Sequence, residues 1–221
     1  MNPATFYDRE YFEGQRRQSP PHSRRLIYPL AERTAKYLCR RRIPDLALDL
    51  GCAKGYLVEA LQACGVRLVV GMDVSHYALS HCEASVKGRV LIGDATYTIP
   101  LQSSSCDLIT ALDLFEHLAD PLPTLREIRR LLTDRGCAYL KICHPRHPNA
   151  HRDPSHVNVQ PLSYWTGLFT QVDFVWKRIY ETEVTGVVTR LDRCKSLVRL
   201  VREWAVIGNP ADYKFLLWKQ S

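Results

Sequence analysis

Long apolar runs are missing from this chain of 221 residues: no window approaches the roughly 18 continuous apolar residues of a membrane span. The start, MNPATFYDREYFEGQ, lacks a basic stretch followed by an apolar one, so it does not read as a secretory signal. Internal repeats and low-complexity tracts are absent too. Cysteine is present but unpaired in sequence. Cys39, Cys52, Cys64, Cys82, Cys106, Cys137, Cys143 and Cys194 form no C-x-x-C, and most sit inside apolar segments, as small core hydrophobes do. That argues against a disulfide framework. Together these absences predict a cytoplasmic protein with no membrane partner.

What is present fits a globular domain: 46% hydrophobic and 24% charged residues. The length suits one domain with a small appendage. We divide it into an N-terminal arm and cap helix over 1–44 and a main domain over 45–221, with an inserted helix at about 189–206. The net charge is +7, and residues 1–44 hold ten Lys/Arg against four Asp/Glu, a local excess of six. Such an arm is either a solvated helix face or an attractor of anions, including nucleic acid. The solvated face is the plainer reading, and nucleic acid stays a minor partner.

From residue 45 the pattern alternates strand and helix, which predicts a parallel sheet covered on both faces. LALDLG, RLVVGMD, RVLIGD, CDLITALD and GCAYLKICH read as five strands in order. Ser75 caps HYALSHCEA, and PLPTLREIRRLL is a helix with prolines in its first turn. After a His/Pro-rich loop, SYWTGLFTQ reads as a short helix capped by Ser163. VDFVWKRIY and YKFLLWKQ read as strands, with a helix over Arg190–Val206 between them that serves either as a pocket wall or as a homodimer face. Upstream, SRRLIYPLAERTAKYLCRRR is amphipathic, and Pro29 sets the start of its main helix.

The most informative stretch is LDLGCAKGYL, Leu48 to Leu57. A strand ends in a turn holding Gly51, Ala53 and Gly55, and a helix follows. In an open parallel sheet such a turn lies at the carboxyl edge where ligands bind. The dinucleotide fingerprint G-x-G-x-x-G/A fails here, because its last position would be Tyr56. The spacing that fits is D-x-G-x-(G/A)-x-G beginning at Asp49. An acid at that point suits a ligand with a positively charged amino acid moiety better than a pyrophosphate.

On these residues the chain resembles the class I S-adenosylmethionine-dependent methyltransferases, strongly over about 45–145 and loosely elsewhere. The resemblance implies S-adenosylmethionine as cofactor, and an α/β fold. That fold is a Rossmann-like, doubly wound, mostly parallel seven-stranded sheet with an antiparallel edge strand and helices on both faces. It implies that Asp49, Gly51, Ala53 and Gly55 hold the methionine part. Asp73, followed by Val74, would bind the ribose hydroxyls, and Asp94 with Ala95 the adenine. Asp113 and Leu114, in ALDLFEHL, would line the methyl-transfer pocket together with His117. Ala53 stands where glycine is commoner, and Lys54 is bulky for its place; it reaches either solvent or a substrate anion.

The Asn/Asp-Pro-Pro-Tyr/Phe sequence of enzymes that methylate base amines is absent after the fourth strand. The version present looks like the small-molecule branch, so the expected reaction is methyl transfer to an oxygen or nitrogen of a small acceptor. The alternatives are an RNA or protein/peptide methyltransferase and, in another class, a non-catalytic S-adenosylmethionine-binding module.

HPRHPNAHRDPSH, His144 to His156, directly follows the fifth strand and so leaves the same carboxyl edge. Asp153, His156 and Asn158 also match a D-x-(S/T)-H-x-N segment seen in some small-molecule methyltransferases. The expectation is that His156 or His144 acts as general base or orients the acceptor, with Asp153 setting a tautomer. No metal is expected, because the spacing of His144, His147, His151, Asp153 and His156 matches no standard zinc pattern. The aromatics Phe6, Tyr7, Tyr11 and Phe12 are either a lid or a hydrophobic anchor. Tyr11 is the lid candidate, and Trp165 is a further candidate for the acceptor pocket.

Overall fold

The computed structural model describes residues 3–16, 21–148, 150–180, 183–184 and 212–220. The predicted helix over Arg190–Val206 lies outside these. In chain order the elements are α1 (Pro3–Phe6), α2 (Arg9–Phe12), α3 (Arg24–Cys39), β1 (Leu46–Leu50), α4 (Tyr56–Ala63), β2 (Leu68–Asp73), α5 (His76–Ser80), β3 (Val90–Ile92), β4 (Cys106–Leu112), α6 (Leu122–Leu131), β5 (Leu132–Ile142), α7 (Leu162–Gln171), β6 (Phe174–Ile179) and β7 (Tyr213–Lys219).

The strands form one seven-stranded sheet in the order β3-β2-β1-β4-β5-β7-β6. β1 to β5 pair in parallel, whereas β7 runs antiparallel to both neighbours and lies between β5 and the edge strand β6. Each face carries its own core, as the period-two alternation of side chains requires. On one face Leu48, Leu50, Ile109 and Ala111 pack with α6 and α7 through Leu125, Ile128, Trp165 and Phe169. On the other, Ala47, Val69 and Leu108 pack with α3 and α4 through Ala31, Ala35, Leu57 and Leu61. No helix among the described residues is long and apolar enough to cross a membrane.

Two helix starts differ from the expectation. α3 begins at Arg24 and carries Pro29 inside it. Burial of its apolar face on α4, with both Arg24 guanidinium nitrogens on Glu59, offsets the missing N–H. α7 begins at Leu162 after Pro161, so Ser163 lies inside the first turn and is not the cap. Ser75 does cap α5, accepting from the Ala78 N–H at 3.0 Å.

β1 and β4 lie side by side in parallel near the middle of the strand order, with β2 and β3 on one side and β5 on the other. The chain reverses its direction of winding there, and the crevice beyond the strands' carboxyl ends is the natural ligand site.

Candidate functional site

A cavity of about 950 Å³ opens at that crevice. Its first half is built from backbone and acids at successive strand ends. The turn after β1 places Gly51, Ala53 and Gly55 in left-handed backbone, with φ of 72°, 49° and 77°. A Cβ on Gly51 would stand 3.4 Å from Leu114, and one on Gly55 would stand 2.9 Å from Val86. Both positions therefore favour glycine for φ, and Gly55 for space as well. Ala53 is held in the same region as alanine because its N–H donates to Asp73 Oδ2 at 2.8 Å. The Ser75 N–H donates to Asp73 Oδ1, also at 2.8 Å, so this carboxylate ties the turn after β1 to the turn after β2. Asp94 accepts from the Thr96 N–H and hydroxyl at 2.9 and 2.7 Å. Asp49 is 3% exposed and accepts the Thr110 hydroxyl at 2.6 Å. Burial outweighs that bond and pushes its carboxyl up to about 7.

The second half is a polar wall of side chains. Lys141, on β5, donates to both Asp113 oxygens at 2.8 and 2.7 Å and lies 3.1 Å from Asp212. Burial opposes its charge, but the two carboxylates outweigh burial and hold the ammonium above its ordinary range. Burial likewise acts to raise Asp113, and Lys141 reverses this, so that carboxyl is held low. Lys214, beside Lys141 across the β5–β7 ladder, is lowered to about 8 by burial and by its neighbour's charge.

Glu116 is 1% exposed. Its Oε1 accepts from the Cys143 N–H at 3.1 Å, while Oε2 has no partner among the described residues. Burial and then Asp113 raise its carboxyl well above the ordinary range. His117 Nδ1 lies 3.2 Å from the Ser155 carbonyl and 3.0 Å from the Ser155 hydroxyl. Its ring is pushed down to about 4 by burial and by His156, whose ring centroid is 4.7 Å away. His156 Nδ1 is 3.2 Å from the Ala150 carbonyl. The arm closes this half: Tyr11 donates to Asp153 at 3.1 Å, the Ser75 hydroxyl donates to the Tyr7 carbonyl, and Tyr7 meets His117 edge-on at 5.8 Å.

Residues 48–140 match the family model described as "Methyltransferase domain". A demethylmenaquinone methyltransferase of Thermotoga maritima is 31% identical over 152 residues, covering 66% of this chain and 65% of the relative. Over these residues the chain is similar to the S-adenosylmethionine-dependent methyltransferases. A ubiquinone biosynthesis O-methyltransferase of Neisseria meningitidis is 26% identical over 136 residues, 58% of this chain and 48% of the relative. The chain thus spans about half of one of these relatives and just under two-thirds of the other. A crystal structure of an S-adenosylmethionine-dependent methyltransferase from Archaeoglobus fulgidus shares the fold at a TM-score of 0.64 and 20% identity. It covers 94% of this chain and 96% of that one.

S-adenosylmethionine is the family's cofactor, and the first half of the cavity fits it. Gly51 and Ala53 offer bare backbone, Asp49 a buried carboxylate for a cationic group, and Asp73 and Asp94 carboxylates at the next two strand ends. Val74, Ala95 and Leu114 also line the cavity, as do Asp113 and His117.

The acceptor half departs from expectation at several points. Trp165 is fully buried in the core beside Phe115 and Tyr164, and its indole donates to the Gln160 carbonyl, so it does not line the cavity. His144 turns away: its ring packs on Tyr213 at 4.6 Å and its Nδ1 accepts from the Arg146 N–H. Asp153 lies 4.0 Å from His156 Nε2, so the Ala150 carbonyl sets the tautomer. Asp153 instead takes bonds from Ser155 and Tyr11. Lys54 turns to Glu13, 3.9 Å away. The N-terminal aromatics satisfy both of their readings: Phe6, Tyr11 and Phe12 pack as a small core with Ala78, and the same residues line the cavity.

Glu116, Lys141, Ser155, Asp212 and Lys214 were not foreseen as site residues. Lys141 had a signal, since it interrupts the apolar strand CAYLKIC. Glu116 lies inside ALDLFEHL and Ser155 inside the D-x-(S/T)-H-x-N segment, so both had a positional signal; Asp212 and Lys214 had none.

Proposed function

We propose that this chain transfers a methyl group from S-adenosylmethionine to an oxygen or nitrogen of a small-molecule acceptor. One observation carries the reading: a single cavity joins the cofactor motifs to a walled, polar second compartment. The bound cofactor supplies an electrophilic methyl on a sulfonium. The protein's part is to align an acceptor with that methyl and to keep water out. Asp73, fixed by two backbone N–H groups, holds one end of the cofactor, and Asp49 complements the positive end. Glu116, His117 and His156 present lone pairs to the acceptor, which orient a hydroxyl or amine and give its departing proton somewhere to go. Tyr7, Tyr11 and Phe12 roof the compartment.

The small-molecule reading is supported by the names of the two relatives, both enzymes of quinone chemistry. The test is calorimetry with S-adenosylhomocysteine followed by a labelled-methyl screen of phenols, quinols and amines. Micromolar binding and label transfer to one acceptor class are expected. Failure to bind the cofactor or its demethylated product sinks the reading. Label transfer only to RNA or to a protein moves the enzyme out of the small-molecule branch.

A further inference from the structure

We infer that Glu116, His117 and His156 form a binding site for one divalent transition-metal ion of the zinc, manganese or iron(II) type. The ligand atoms these three can offer all lie within 4.8 Å of one another. A tetrahedral ion at ~2.1 Å requires an edge of about 3.4 Å, so ion binding would draw the three atoms closer together.

Several independent features prepare the site. Each imidazole has its Nδ1 against a backbone carbonyl, Ser155 for His117 and Ala150 for His156. A carbonyl accepts only from N–H, so Nδ1 carries the proton and Nε2 the free lone pair. This is the arrangement that orients a metal-binding histidine from behind. Glu116 is oriented in the same way: Cys143 N–H holds Oε1 and leaves Oε2 bare, in a residue 1% exposed. A buried carboxylate oxygen without a partner is costly and calls for a cation or a donor. Lys141 does not serve, because it is spent on Asp113 and Asp212. The two loops are also locked together where the site forms, by the Asn158 N–H on the Glu116 carbonyl at 2.9 Å.

Two imidazoles and one carboxylate suit a borderline transition ion and not Ca²⁺ or Mg²⁺, which prefer all-oxygen shells. Three protein ligands leave a position open, and all three line the cavity. An ion there would receive an oxygen of the acceptor and polarise it. Under this arrangement His156 is a ligand and not a base acting alone. A second group, Cys143, His147 and Asp212, is also close enough to be weighed. It is the weaker candidate because Asp212 is paired with Lys141.

The role at the acceptor rests on the methyl-transfer reading; the ion site does not, so it is tested without cofactor or acceptor. The full chain, purified without a histidine tag and stripped with chelator, is titrated with Co²⁺ and Zn²⁺. One ion per chain with a visible Co²⁺ spectrum is expected. Glu116→Gln, His117→Gln and His156→Gln each weaken it by at least about tenfold, while His144→Gln and His151→Gln leave it unchanged. S-adenosylhomocysteine binding by each variant reports folding separately. X-ray absorption of the zinc-loaded wild type keeps the question decidable if variants misfold: two imidazoles with oxygen are expected, and a sulfur ligand points to Cys143 and overturns the assignment. Substoichiometric metal, or binding indifferent to Glu116 and His156, also overturns it.

Discussion

The two halves of the cavity are made in different ways. The cofactor half is backbone and short acids at the ends of β1, β2 and β3, met in chain order. The acceptor half is long side chains from Tyr11, Glu116, Lys141, His156 and Lys214, segments separated by tens of residues. In the first, the fold itself places the groups. In the second, each group is placed by another side chain or by a loop carbonyl, so its geometry depends on its neighbours. This division is what lets one scaffold keep a cofactor and change its acceptor.

The contrast can be broken most forcefully at Asp73. Asp73→Asn leaves the acceptor wall intact and is expected to cost about 3 kcal/mol of cofactor affinity, roughly a hundredfold, by weakening charge-assisted bonds. Calorimetry with S-adenosylhomocysteine reads it, and a change below about threefold would show that the first half does not depend on this acid.

On the other side, Lys141→Met leaves Asp113 and Asp212 facing each other. Losing one partner of a fully buried pair costs about 3–5 kcal/mol. The Asp113 side chain is 50% exposed, so a loss of about 2 kcal/mol is expected. Thermal unfolding measures this, and adding Asp212→Asn should restore part of it. A double variant no more stable than the single one would remove the ion pair as the cause.

Asp49 gives a pH signature confined to the cofactor half. Its carboxyl titrates near 7 in the free protein. A cationic ligand favours the carboxylate, so the proton must leave before binding. Cofactor affinity should therefore rise with pH up to about 7, by at most about tenfold per unit, and level off above it. Asp49→Asn should flatten the profile; a slope that persists in the variant assigns it to another group. The smallest effect is at the roof. Tyr11→Phe removes one bond to Asp153 and should loosen the arm by about 1 kcal/mol, seen as faster proteolysis near residues 9–16 with cofactor affinity unchanged.

Legibility follows the same division. The sheet and the turn after β1 were readable because strand periodicity and glycine spacing are local signals, and the family resemblance singled out Asp49, Asp73 and Asp94, which line the cavity. Asp113 and His117 were readable as part of a contiguous motif. His156 could be placed on the correct loop, but neither its tautomer partner nor the exclusion of His144 could be read. A carbonyl six residues away and a ring on β7 decide those, and neither leaves a mark on spacing. Trp165 was misplaced for a related reason: an aromatic on a helix beside a site looks the same in sequence whether it faces the pocket or the core. The Glu116, His117 and His156 cluster was invisible as a metal pattern because its ligands come from two loops about 40 residues apart.

The position of β7 bears on how the chain is made. The inner strand β5 meets β7 along Ala138–Ile142, and the edge strand β6 has β7 as its sole sheet neighbour among the described residues. Yet β7 follows both of its partners in the chain. Until residues 213–219 emerge, a nascent chain holds five parallel strands with the apolar flank of β5 open and β6 unattached. Such a flank is a template for wrong pairing. Synthesis therefore has a window, closing only when β7 emerges, in which a chaperone has most to do.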